Sequence, residues 1–388
     1  MKATALKAVI KRELSRLIGR RIYIVAMVAI PLFMSLFFIS LLDSGLPVRV
    51  PVAMVDLDNS SMSRNITRNL SAMETVNIVA QATSEVQAID MLNRGNIFGF
   101  FLIPDNTEKD AVEGRTPTLS YYTNMSFFIP SSIAYKGFKT IAVSTSGSMV
   151  KTSLVEAGAD EQQVGTLLQP IVIQDRPIHN PWTNYSIYLS NSFIPGVIAL
   201  MVLLVTVFSI CDEIKQGSSI DWLSTAQGNL PTAIIGKLLP QTAIFSIMGI
   251  FAQSLLWGYN HFPLYCHPFT MIAAMILLVM ASQSFALIVC SIMPNLRLAL
   301  SIVSLLGILS FSIAGLSFPI ESMYGAIGIF SYILPLRYYF LIYIDQALNG
   351  IDFYYSFIYF IILFIFTIIT PLFTWRLRSR LSNPVYVP

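Results

Sequence analysis

Six apolar runs, each near the roughly 20 residues that cross a bilayer as a helix, constrain this chain more than anything else in it. They cover about 22–42, 191–211, 233–257, 269–292, 298–318 and 352–375. Backbone in hydrocarbon must satisfy its own hydrogen bonds, and a helix does so within one segment. Charged residues make up only 12% of the 388 residues, against about 25% in soluble domains. A polytopic α-helical membrane protein is therefore expected. The first run is too long for a secretory signal core and lacks a small-residue cleavage pattern, so it reads as a retained span.

Lysine and arginine near span ends set the expected orientation. The N-terminal tail carries Lys2, Lys7, Lys11, Arg12, Arg16, Arg20 and Arg21, and the C-terminal tail Arg376, Arg378 and Arg380. An even number of spans puts both tails on one side, together with Lys215 and Arg297. The opposite short connections are poor in cations: "YNHFPLYCHP" has none, and 319–351 has only Arg337. Both termini and the polar segment 212–232 are thus expected in the cytoplasm, with residues 43–190 outside.

Residues 1–21 form a region of their own. Leu6, Ile10, Leu14 and Leu17/Ile18 recur at helical spacing, with Lys7, Lys11, Arg16 and Arg20 on other faces. This pattern predicts an amphipathic interfacial helix whose cations face anionic headgroups and whose partner is membrane lipid. In 43–190, "VRVPVAMVD", "TVNIVAQ", "NIFGFFLIP", "TPTLSYYT" and "PIVIQD" read as strands. "SSMSRNITRNLSAM", "SEVQAIDMLNRG" and the stretch from Ser126 to Ala157 read as helices. The alternation predicts an α/β domain. Cys211, Cys266 and Cys290 all lie outside it, so disulfides do not hold it together. The rest, 191–388, carries spans two to six and, at 319–350, an apolar stretch interrupted by Pro319, Glu321, Pro335, Arg337 and Asp345. Neither half of that stretch is a comfortable crossing, so an outer re-entrant hairpin is expected.

Catalytic signatures are missing from the sequence. It contains no G-x-x-x-x-G-K-[ST] loop for ATP and no H-E-x-x-H pair. His261 and His267 flank Cys266 in a short loop without metal-ligand spacing, and Asp56 and Asp58 read as a strand end followed by a helix cap. Gln241, Gln253 and Gln283 are polar residues within spans, either lining a pathway or joining helices. No span carries a charged residue near its centre, which argues against an ion-coupled pump. No nucleic-acid partner is indicated.

Order and local motifs together resemble a known family. "HNPWTNYSIYLSNSFIPGVIALMVLLV" looks like its NP…PG lead-in to the second span, through Asn180-Pro181 and Pro195-Gly196. "DEIKQGSSIDWLSTAQGNLPTAIIGKLLP" is similar to its cytoplasmic segment, matching at Glu213, Gly217, Leu223, Pro231, Gly236 and Lys237 and departing at Ser219, Asp221 and Trp222. "FPIESM" and "LPLRY" resemble the markers of its outer hairpin, here Pro319, Glu321, Pro335 and Arg337. The family is that of the membrane subunits of ABC-2 type (type V) ABC exporters, in the subgroup with a large extracytoplasmic domain after the first span.

The resemblance implies a bacterial plasma (inner) membrane as the setting and a dimer with a second copy or a sister permease subunit. Separate ATP-binding-cassette ATPase subunits hold ATP and Mg, leaving no cofactor in this chain. In the subgroup, a periplasmic membrane-fusion protein joins the export of drugs or lipid-like compounds. It also makes 212–232 the expected coupling segment. There Ile220, Trp222 and Leu223 would supply apolar contact, Gly217 matches the motif, and Asp212 and Glu213 would meet basic groups on the ATPase. A second reading stays open at this point: an ATPase-independent membrane receptor or envelope protein whose external domain binds a ligand.

Overall fold

The computed structural model describes residues 3–43, 45–156, 158, 160, 164, 178–180, 184–316, 318–382 and 384. "PIVIQD", Pro181 and Trp182 lie outside the described residues. The chain divides into two compact units, Met1–Asp43 with Pro177–Pro388, and Ser44–Arg176.

The first unit is helical, with six helices long and apolar enough to cross a membrane. These are span one, Arg21–Leu41; span two, Tyr185–Lys215; span three, Leu230–Tyr259; span four, Pro268–Ile292; span five, Leu296–Ile313; and span six, Phe353–Ser382. Polar side chains cap most of them. Asn184 accepts from Ser186, Asn229 from Thr232, Asn295 from Arg297 and Leu298, and Asp352 from Tyr354. Span two begins at Tyr185 rather than 191 because Ser186, Ser190 and Asn191 are polar yet buried in the bundle, which a hydropathy reading cannot anticipate.

Spans two and four form the centre. Their most apolar windows are 67% and 61% buried, against 22% for span five and 19% for span six. Small residues permit the close crossings: Gly196 of span two faces the Phe311 ring, and Gly307 of span five faces Leu200. In span one, Pro31 cannot donate a backbone hydrogen bond, and the turn before it widens to a π-helical turn over Val25–Ala29. Between spans five and six, helices Gly325–Ser331 and Pro335–Leu348 are bent against each other by 79°. Pro335 opens the second of them, where a missing N–H costs nothing.

Among its described residues the second unit holds a four-stranded sheet in the order β2-β1-β3-β4. Strands β1 (Val50–Asp56), β2 (Val76–Gln81) and β3 (Gly99–Ile103) are parallel, and β4 (Ser120–Thr123) pairs antiparallel to β3. The helices Ser61–Ser71 and Glu85–Asn93 start at Ser60 and Ser84, whose side chains accept from Ser63 and Gln87. Strand β1 is apolar on both faces because both are covered. Val50, Val52 and Met54 pack with Ile66, Leu70 and Phe138, while Ala53 and Val55 pack with Ala88 and Phe100.

Candidate functional site: a buried charge cluster at the ends of spans two and three

The N-terminal helix, Ala3–Gly19, buries Ala5, Val9, Glu13 and Leu17, one residue per turn. This face is not the one its leucines suggest: Leu14 and Ile18 are exposed. The reason is Glu13, the only carboxylate before Asp43. Its side chain is 1% exposed and accepts from Lys237 Nζ at 2.8 Å and from Gln241 Nε2 at 2.9 Å, both on span three. Gly236, beside Lys237, lets the helices approach: a Cβ there would stand 2.8 Å from Val9 Cβ.

Arg12, Arg16 and Arg20 follow at intervals of four, so they share one side of the helix and its end. They turn toward the last turn of span two, which corrects the headgroup-facing expectation for Arg16 and Arg20. Arg12 grips Glu213 with both Nη atoms, at 2.7 and 2.8 Å, in the fork geometry that suits a carboxylate. Arg16 reaches Asp212 at 2.5 Å and also pairs with Glu213. Arg20 donates to Asp212 at 2.5 Å and to Gln216 Oε1 at 2.8 Å. Lys237 closes the cluster on Glu213 at 2.9 Å. Four cations and three carboxylates thus join three segments through pairs up to 224 positions apart. The bond to Glu213 holds the Arg12 guanidinium above its ordinary pKa, so it stays charged throughout the physiological range.

The polar helix Ser219–Thr225 hangs from this cluster. Gly217, with φ +69°, ends span two in the left-handed conformation that suits glycine. Ser218 Oγ then donates to Glu213, and Ser219 Oγ donates to the Leu381 carbonyl near the chain's C-terminus. Trp222 is 1% exposed; its Nε1 donates to the Ala233 carbonyl, and Lys237 lies 4.7 Å from its ring centre.

These contacts revise the residue roles expected for the segment. Asp212 and Glu213 are buried against arginines of the same chain, so basic groups on a partner are not their counterparts. Trp222 is an internal wedge and Leu223 is half-buried. The surface that remains open includes Ile220 (52% exposed), Asp221, Ser224 and Gln227.

Sequence reasoning missed the cluster although two signals were present. Glu13 interrupts the apolar stripe of Val9 and Leu17, and Lys237 is the sole charge in span three. Glu13 precedes the first span and Lys237 lies toward the start of span three, so reading only span centres for charge overlooks them.

The three glutamines join helices. Gln241 links Glu13 to Ser209, Gln253 donates to the Met271 carbonyl and to Tyr339 Oη, and Gln283 accepts from Thr242 at 2.6 Å. Of the hairpin residues, Arg337 donates to the Ala314 carbonyl and lies 4.6 Å from the Tyr332 ring, Pro335 starts a helix, Pro319 precedes the short turn Ile320–Ser322, and Glu321 is exposed. Among the described residues, no group of three or more His, Cys, Asp or Glu side chains converges as a metal site.

Six candidate spans describe an integral membrane protein, and buried ion pairs join its N-terminal helix to the end of span two and the start of span three. The chain belongs to the ABC-2 transporter family: the family model described as "ABC-2 family transporter protein" matches residues 21–376. A search of curated proteins found no match.

Proposed function

We propose that the chain is the membrane-spanning subunit of an ABC exporter in a bacterial inner membrane, working as a dimer. A separate ATPase binds ATP and Mg and drives it, and the exported compound is apolar or amphipathic, drug-like or lipid-like. Both termini and the polar helix Ser219–Thr225 face the cytoplasm, and Ser44–Arg176 lies outside. The bent pair Gly325–Ser331 and Pro335–Leu348 is a re-entrant hairpin on the outer side.

The observation that carries this reading is the mounting of the polar helix. A lever must be stiff where it joins the spans and open where it is pushed. Ser219–Thr225 is pinned through Trp222 and Ser219, and the adjoining end of span two is locked by Glu213 to both the N-terminal helix and span three. Its open face presents Ile220, Asp221 and Ser224 to a partner groove, as short amphipathic helices do. Displacement of that face is transmitted to spans two and three and the N-terminal helix as one body, because breaking a buried ion pair is costly.

The test is purification of the full chain from native membranes, with identification of co-purifying proteins. An ATPase carrying a P-loop is expected in the complex; its absence, with the chain intact, would overturn the proposal. Within such a complex, Ile220→Asp is expected to weaken ATPase association by about tenfold, the size of an interface anchor's loss. It should leave the chain's own thermal stability unchanged, because Ile220 is exposed.

A further inference from the structure

A groove of about 550 Å³ opens between spans three, four and six. Along span three its lining runs from Pro231 to Ser246, about 22 Å at the helical rise. Half of a hydrocarbon core is about 15 Å, so the groove has the depth of one leaflet and its interface. We propose that it binds one acyl chain of an anionic phospholipid, drawn from the leaflet on the side that carries the chain's ends. This rests on the membrane-spanning character of the helices and not on coupling to an ATPase.

Most of the groove's polar side chains are already engaged, and Ser246 Oγ is buried without a hydrogen-bond partner among the described residues. Gln283 accepts from Thr242 Oγ1 at 2.6 Å, and Thr367 and Thr370 donate to the carbonyls of Leu363 and Phe366 on their own helix. Polar side chains in a dry site command an occupant only when they lack partners. Here one serine hydroxyl stands against Ile235 and Leu239, 43% and 50% exposed, in a lining that also holds Leu238, Ile276 and Leu287, which favours hydrocarbon over a polar solute.

The headgroup class follows from the groove's end. Thr367, Thr370 and Thr374 line it at helical spacing, and Arg378 stands one turn beyond Thr374 on the same side. Arg376 and Arg378 are exposed, and Arg376 lies 5.7 Å from the ring of Trp375, an interfacial residue type. No Asp or Glu follows Asp352 in the sequence. Cations at the membrane surface attract anionic lipid.

The test uses the full chain in phosphatidylcholine nanodiscs. A trace of phosphatidylglycerol carries a diazirine in one acyl chain, and labelled peptides are mapped after irradiation. Labels are expected to concentrate in 231–246, 276–287 and 367–374. Ala243→Phe and, separately, Thr367→Phe fill the groove and should remove most of this labelling. Labelling of span five at Leu298 and Ile308, whose side chains are exposed, should persist in both variants and report intact folding. Arg376→Gln and Arg378→Gln should each lower groove labelling about fivefold with the phosphatidylglycerol probe and leave it unchanged with the same chain on phosphatidylcholine. Equal labelling of the groove and span five, or groove labelling unchanged in both filling variants, would overturn the site. Equal labelling by the two headgroups would overturn its anionic preference.

Discussion

Lys237→Met is expected to destabilise the chain by about 3–5 kcal/mol, the cost of breaking a buried ion pair from one side. The ammonium is 1% exposed and bridges Glu13 and Glu213. Removing it leaves Glu213 with Arg12 and Arg16 but leaves Glu13 with a glutamine amide as its remaining partner among the described residues. An uncompensated carboxylate in that position must take up a proton or pull the helices apart to reach water. Fluorescence-detected thermal unfolding in detergent measures the loss. The account makes a second demand: Glu13→Gln added to Lys237→Met should recover most of the stability, because apolar or neutral replacements of a whole buried pair are often close to neutral. A double variant as unstable as the single one would mean that Lys237 matters for packing on Trp222 and not for charge.

Gly236→Leu should undock the N-terminal helix without removing any charge. Its Cβ alone would meet Val9 Cβ at 2.8 Å, and a full leucine side chain has no room between Val9 and Leu6. Overpacking of this kind costs about 1–3 kcal/mol, which multiplies the undocked population by about five to one hundred and fifty. Trypsin reads that population directly. Arg12 and Arg16 are held by Asp212 and Glu213 in the docked state, and cleavage after them requires opening. When opening and closing are fast, cleavage follows the open fraction. The expected result is faster cleavage after Arg12 and Arg16 by about that factor, with unchanged cleavage after the exposed Arg378. Unchanged protection at Arg12 would show that the helix does not depend on its approach to span three.

The helical spans were legible because twenty apolar residues admit few other structures. Strands β1 to β3 were legible because their residues alternate or run apolar between capped helices. What escaped was the direction of faces. The N-terminal helix carries two candidate stripes, and hydropathy alone prefers the one with Leu14 and Ile18. The structure buries the other, since a single carboxylate with a lysine partner 224 positions away outweighs two leucine-sized side chains that lipid can cover. Trp222 posed the same difficulty: a tryptophan beside a span reads equally as an interface anchor or an internal wedge, and only the Ala233 carbonyl decides. The polar segment itself was visible at once as an interruption of apolar sequence, and its fixed and open faces emerged only with the contacts of Glu213 and Ser219.

The central claim is that an outside motor pushes on the open face of Ser219–Thr225. A photo-crosslinking amino acid at position 220, in the full chain expressed in its native membrane, tests this most directly. The same amino acid at position 324, where Tyr324 is 80% exposed in the connection between spans five and six, serves as the control. Position 220 is predicted to yield an adduct with a P-loop ATPase, and position 324 none. An ATPase adduct at 324, or irradiation at 220 that captures no ATPase from membranes in which the chain is folded, would contradict the account.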